Sequence, residues 1–155
     1  MPELNLAGLT LSPLMLALGL VLDGYDGAAD GGGCVRVRGH IDAGPEHHQP
    51  MGVVHGAVYT GAIETAASVG GYLAVAGRGQ SVVGVDNFCD FLRPVTAGRL
   101  EVDARAAAQG RTLQLWNVDI TDDQGRLVAR GRVRLANRDR PERRRVPDHT
   151  RAGTS

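Results

Sequence analysis

The chain has 155 residues, which fits one domain large enough to bury a real core. Its 17 cations balance 17 acids, so no net field attracts nucleic acid or an anionic membrane. Every cation is Arg, and the two cysteines, Cys34 and Cys89, fall in predicted strands, form no disulfide framework and suit a reducing cytoplasm.

The N-terminus is apolar from Leu4 to Leu22, yet no Lys or Arg precedes Arg36, so the positive region of a signal peptide is missing. Asn5, Thr10, Ser12, Pro13 and Gly19 interrupt the run and leave it short of a membrane span. It reads as a helix and a strand packed on a soluble domain. Ser12-Pro13 is a helix cap followed by proline at the first helical position, and the short helix ends near Leu18-Gly19. Leu20 to Tyr25 resembles a strand and Asp26 to Gly33 a Gly/Asp-rich turn. Cys34 to Ile41 alternates, with Val35, Val37 and Ile41 on one face and Arg36, Arg38 and His40 on the other, which completes a hairpin. Asp42 to Val54 is loop.

From Gly56 to about Ala76 the pattern is helical, with Val58, Ala62, Ile63, Ala66, Val69, Leu73 and Ala74 on the apolar side. Gly61, Gly70 and Gly71 each cost about 1 kcal/mol of helix propensity relative to Ala. Tolerating three of them predicts that something packs very close, such as a sheet curled around the helix. Glu64 interrupts this apolar stretch, and the loop before it carries His47, His48 and His55. The combination of a special backbone position, an acid on an apolar helix and several imidazoles marks residues 48–68 as a candidate active site.

Strands then follow one another: Ser81 to Leu92, Arg99 to Gln109, Thr112 to Thr121 and Arg126 to Leu135. In the second, Leu100, Val102, Ala104, Ala106 and Ala108 alternate with polar residues; in the last, Leu127, Ala129, Val133 and Leu135 point inward. Period-two alternation between tight turns predicts an antiparallel sheet. One long helix against it gives an α+β layer architecture. The domain covers residues 1–136, and the Arg-rich tail 137–155, with almost nothing apolar, is expected to be disordered.

The order helix, hairpin, His-rich loop, Ala/Gly helix and four strands resembles the hotdog-fold acyl-CoA thioesterases of the PaaI/4HBT type, over roughly residues 12–136. The resemblance rests on Gln49-Pro50-x-Gly52-x-x-His55-Gly56, then Glu64-Thr65 and Ser68, then Val82-Val83-Gly84. It also rests on Phe91-Leu92-Arg93-Pro94, Gln109-Gly110-Arg111-Thr112 and Asp123-Gln124-Gly125-Arg126-Leu127-Val128. Gln49 and Glu64, where other members carry Asn and Asp, place the chain in the Gln/Glu subgroup with the hydroxybenzoyl-CoA and dihydroxynaphthoyl-CoA thioesterases. Gly56-Ala57 departs from the Gly-Gly that many members carry. The fold implied is a hotdog, an antiparallel sheet wrapped around one long central helix.

Thioester hydrolysis needs a polarised carbonyl and either an activated water or a carboxylate nucleophile. The amides at the start of the central helix suit the first need, and glycine at position 56 lets a carbonyl approach without meeting a side chain. Glu64 is the base or nucleophile, and Ser68, four residues on, shares its helix face and can orient it or hold water. The resemblance implies that Gln49 bonds near the thioester and that His55 braces the Gln49 loop or contacts substrate. It also implies that pantetheine and nucleotide run along Gly84, along Phe91, Leu92, Arg93 and Pro94, and along Ala108, Gln109, Gly110, Arg111, Thr112 and Leu113. Arg93 and Arg111 are candidate phosphate anchors.

Eight residues of helix separate Gly56 from Glu64, about 12 Å at 1.5 Å per residue, so the two cannot meet one carbonyl from one chain. A second subunit is needed, in agreement with the dimers, often paired into tetramers, that the resemblance implies. No metal is expected, since nothing completes a ligand set around the three imidazoles, and no cofactor beyond the coenzyme A of the substrate. A competing reading is a non-catalytic acyl-CoA-binding or regulatory hotdog module; a hotdog hydratase lacks an Asp/His dyad motif here.

Overall fold

The computed structural model describes residues 12–27 and 33–140. Ser12 caps α1 (Pro13–Ala17): its hydroxyl accepts from the Met15 amide at 3.3 Å, with Pro13 in the first turn. The apolar side chains of α1 do not join the core, since Leu14 and Leu16 are 66% and 65% exposed. Of the apolar N-terminal run, Leu18 and Leu20 are buried in the core and Leu22 packs against it, while residues 4–11 lie outside the described residues.

Strands β1 (Val21–Gly27) and β2 (Cys34–Ala43) form the expected antiparallel hairpin, whose turn at 28–32 lies outside the described residues. A short 3-10 turn at Pro45–His47 leads to α2 (Gly56–Val75). β3 (Gln80–Phe91), β4 (Gly98–Gln109), β5 (Leu113–Thr121) and β6 (Leu127–Asp139) follow. The six strands make one antiparallel sheet in the order β1-β2-β4-β5-β6-β3, so β3 is an edge. α2 lies against β2 to β6, and the core between them is built on Trp116, Ile41, Ile63, Leu100, Ile120 and Leu135, all fully buried. This is the hotdog arrangement.

The helix glycines are explained by how closely the sheet approaches. A Cβ on Gly70 would fall 2.5 Å from the Trp116 ring, and one on Gly71 2.4 Å from Leu135. At Gly61 the neighbour is Leu18, 2.8 Å away, and at Gly131 on β6 it is Ile63 of the helix, at 2.7 Å. Propensity is sacrificed so that large core side chains can touch the helix backbone.

Three details depart from simple alternation. A bulge between Ala106 and Ala108 shifts the phase of β4, so Ala108 is exposed although it continues the apolar pattern. A second bulge, between Gly84 and Asp86, does the same on β3. Before it, Val82 and Gly84 face the helix; after it, Asn87, Cys89 and Phe91 do, while Asp86 pairs outward with Arg134 and Phe88 stacks under Arg132. Third, β6 runs past residue 136, so Asn137 to Asp139 belong to the sheet and not to a tail. The polar Asn137 is buried there because its Nδ2 donates to the carbonyls of Gly110 and Arg111, both at 3.0 Å. Residues 141–155 lie outside the described residues. Among the described residues no helix is long and apolar enough to cross a membrane.

Candidate active site

The loop before α2 is held by its own polar groups. Gln49 and Val53 close a turn, with the Gln49 amide donating to the Val53 carbonyl and the Gly52 amide to the Gln49 carbonyl, both at 2.9 Å. Gly52 sits at φ +80°, a conformation that glycine adopts without a Cβ penalty. The Gln49 side-chain oxygen accepts from the Met51 amide, which leaves Nε2 as the end of that side chain free to donate to a ligand. His55 caps α2: its Nδ1 accepts from the Ala57 amide at 2.9 Å, while its own amide donates to the His47 carbonyl at 2.8 Å. The acceptor role at Nδ1 places the ring proton on Nε2.

Gly56 is the first helical residue, so its amide has no acceptor within the helix. It opens onto a cleft of about 470 Å³ shared with Gln49, His55, Tyr59 and the segment Phe91, Leu92, Arg93 and Pro94. Phe91 lies over the glycine: a Cβ on Gly56 would be 2.8 Å from the tip of its ring. Its ring also packs against Tyr59, with centroids 6.0 Å apart. The Tyr59 hydroxyl is buried without a partner among the described residues, and burial raises its pKa. Arg93 donates to the Leu127 carbonyl at 3.3 Å.

Glu64 is not among the residues that line this cleft. It sits two turns further along α2, half-buried, with Ser68 donating to Oε1 at 3.3 Å. Asn87 of β3 donates from Nδ2 to Oε2 at 3.0 Å and to the Thr60 carbonyl at 3.2 Å. Gly84 leaves room for the carboxylate, since a Cβ there would be 2.7 Å from Oε1. Asn87 had no signal in the sequence pattern, because alternation without the bulge puts it on the opposite face from Gly84. Cys89, between Asn87 and Phe91, has its thiol pushed up to about 11 by burial first and by Asp90 second.

The third group of candidates lies elsewhere. Leu113 pairs with Ala136 and Phe91 with Ala129, so the turn after β4 and the segment after β3 sit about 23 Å apart along β6 at roughly 3.3 Å per residue. Gly110 closes that turn through its amide to the Leu113 carbonyl at 2.8 Å, and Thr112 accepts from the Asn137 amide at 2.8 Å. Gln109 is spent on structure, donating to the Cys34 carbonyl at 2.7 Å. Arg111 and Ala108 are exposed. One chain therefore brings Gln49, His55 and Gly56 together with residues 91–94, and Glu64 together with Ser68 and Gly84. It does not join these two groups to each other or to residues 108–113.

The imidazoles are committed separately to backbone. His47 Nδ1 takes the Gly44 amide at 3.2 Å, His48 Nε2 bonds the Thr96 carbonyl, and His55 caps the helix. Among the described residues no three His, Cys, Asp or Glu side chains group as a metal site.

The sequence pattern of the thioesterase superfamily matches residues 51–129. Rv1847 of Mycobacterium tuberculosis is 47% identical over 102 residues, which is 64% of this chain and 73% of that protein. Its structure superposes with a TM-score of 0.76 at 40% identity, covering 84% of this chain and 100% of the other. The proofreading thioesterase EntH of Klebsiella pneumoniae is 31% identical over 137 residues, 86% of this chain and 94% of that one. The thioesterase HI1161 of Haemophilus influenzae superposes with a TM-score of 0.78 at 27% identity, covering 90% of this chain and 92% of the other.

Proposed function

Because the chain belongs to the thioesterase superfamily, we propose that it hydrolyses the thioester of an acyl-CoA, with an aromatic acyl group preferred, as in the Gln/Glu subgroup it resembles. The observation that carries this reading is the placement of Glu64: the one charged side chain of α2, half-buried, held by two donors and given space by a glycine. A solvated helix acid needs none of these.

The thioester carbonyl oxygen sits at the Gly56 amide with Gln49 Nε2 as a second donor. Both act on the negative charge that grows on that oxygen, and a donor of this kind is worth about 3 kcal/mol in the transition state. Glu64 then delivers oxygen to the carbonyl carbon, either by taking the proton of an attacking water or by attacking directly to give a mixed anhydride that water opens. In both routes the C–S bond breaks, the thiolate of CoA leaves and takes a proton, and the free acid departs. Phe91 and Tyr59 form an aromatic wall beside Gly56 that suits a flat acyl group.

The two groups of catalytic residues complete each other in a dimer, one copy supplying Gly56 and Gln49 and its partner Glu64 and Ser68. β3 is the strand placed for such pairing, since it is a sheet edge that bears exposed Val83, Val85 and Phe88. The same pairing lets the Arg111 turn of one copy serve the substrate bound at residues 91–94 of the other, and such dimers pair further into tetramers. The test is CoA release from a panel of aroyl- and alkanoyl-CoA thioesters by the wild type and Glu64→Ala. Release by the wild type and its loss in the variant are expected. If neither protein releases CoA from any substrate while the wild type binds acyl-CoA, the chain is a binding module. A monomer that is fully active in light scattering at assay concentration would refute the shared site.

A further inference from the structure

We infer that Asn87 is the positioning residue that fixes the Glu64 carboxylate, an inference that rests on Glu64 being the group that delivers oxygen to the thioester. Asn87 stands opposite Val133 on β6, on the helix-facing side of β3 that the bulge at Gly84 creates. Its Nδ2 makes two bonds, to the Thr60 carbonyl at 3.2 Å and to Glu64 Oε2 at 3.0 Å. Both partners are acceptors, so the amide cannot be turned over without setting its oxygen against two other oxygens. The side chain thus bridges one turn of α2, tying the backbone of Thr60 to the acid four residues on.

The bond to Oε2 is charge-assisted and the shorter of the two that the carboxylate receives, since Ser68 reaches Oε1 at 3.3 Å. With Gly84 walling the other oxygen, Asn87 sets the orientation and Ser68 trims it. A second observation separates this from packing: Asn87 Oδ1 is buried with no partner among the described residues. An orphaned buried acceptor is destabilising, so an apolar residue would serve the fold better at this position. Asn is retained for what its Nδ2 holds.

The test compares Asn87→Ala and Asn87→Asp with the wild type and Glu64→Ala. In CoA release, Asn87→Ala should lower kcat roughly 10- to 100-fold, with KM changed little, because the carboxylate loses its orientation while the substrate keeps its contacts. Asn87→Asp has the same shape but sets a carboxylate against a carboxylate, so it should be the worse of the two. A packing role predicts a loss of thermal stability with kcat per folded protein unchanged. An Asn87→Ala kcat within about twofold of wild type therefore overturns the inference. If the wild type itself releases no CoA, the proposed function fails and the inference is read from urea unfolding of Asn87→Ala, Glu64→Ala and the double variant. Non-additive midpoints support the contact, and additive ones overturn it.

Discussion

Gly84→Ala probes how tightly the carboxylate of Glu64 is confined. The added Cβ would lie 2.7 Å from Oε1, whereas ordinary contact begins near 3.4 Å, so the carboxylate has to retreat by about 0.7 Å. The strand itself accepts the change: Gly84 is not among the positive-φ glycines, and alanine costs nothing there. Retreat lengthens the bonds from Ser68 and Asn87 and, in the proposed reaction, moves the Glu64 oxygen off line. Misplacement by about 1 Å can cost roughly 100-fold. A shift of about 0.7 Å should then lower kcat about 10- to 50-fold, or about 1.4 to 2.3 kcal/mol of barrier. Steady-state CoA release monitored with a thiol reagent separates the two roles that Gly84 could have. A fall in kcat at nearly constant KM supports confinement of the acid. A raised KM with kcat intact would mean that Gly84 serves only as a surface for the pantetheine arm, and unchanged kinetics would mean that the carboxylate has slack the geometry denies.

Other consequences are open to simpler measurements. His55→Ala removes the acceptor for the Ala57 amide, so thermal unfolding should show a loss of about 1 kcal/mol, and no loss would mean the cap is not formed in solution. Burial holds the thiols of Cys34 and Cys89 at about 11 against an ordinary 9.0, so each carries about 100-fold less thiolate than a free cysteine at pH 8. Alkylation followed by mass spectrometry should be correspondingly slow at pH 8 and should keep accelerating until the pH reaches about 11; rapid labelling at pH 8 would contradict the burial. Asp122 is held below the usual carboxylate range by hydrogen bonds from Arg126 and from backbone amides, and Asp86 by Arg134. Their folded values lie below their unfolded ones, so the stability they contribute is present above about pH 4 and is lost as pH falls through the folded values. Urea midpoints should therefore be flat from neutrality to about pH 5 and fall below about pH 4, and Asp122→Asn should blunt that fall.

Much of the fold was legible because each signal had a local cause. Ser12-Pro13 behaves as a cap and first turn because the hydroxyl finds the Met15 amide. The three glycines in α2 forecast a close neighbour, and Trp116, Leu135 and Leu18 are those neighbours. What misled was composition and strict periodicity. The chain after residue 136 is polar, yet Asn137 stays in the sheet because the backbone of the turn between β4 and β5 satisfies it. Ala108 keeps the apolar alternation of β4 but lies past a bulge, on the exposed side.

The candidate site shows the same division more sharply. Gly56, His55, Gln49, Glu64 and Ser68 stand out as candidates because each lies in or beside one continuous helix, whose 3.6-residue repeat fixes who shares a face. Asn87 and the side of β3 that it shares with Cys89 and Phe91 depend on where one extra residue enters the strand. Without the bulge after Gly84, period-two alternation would aim Asp86, Phe88 and Asp90 at the helix. An acid, an aromatic and a second acid would then line α2, with Asp86 beside Glu64, and two carboxylates cannot share that space in ionised form without a large electrostatic penalty. The bulge turns those acids outward, Asp86 to Arg134, and brings an amide donor to Glu64 in their place. A single inserted residue thus decides whether the carboxylate meets a repelling charge or a hydrogen-bond donor.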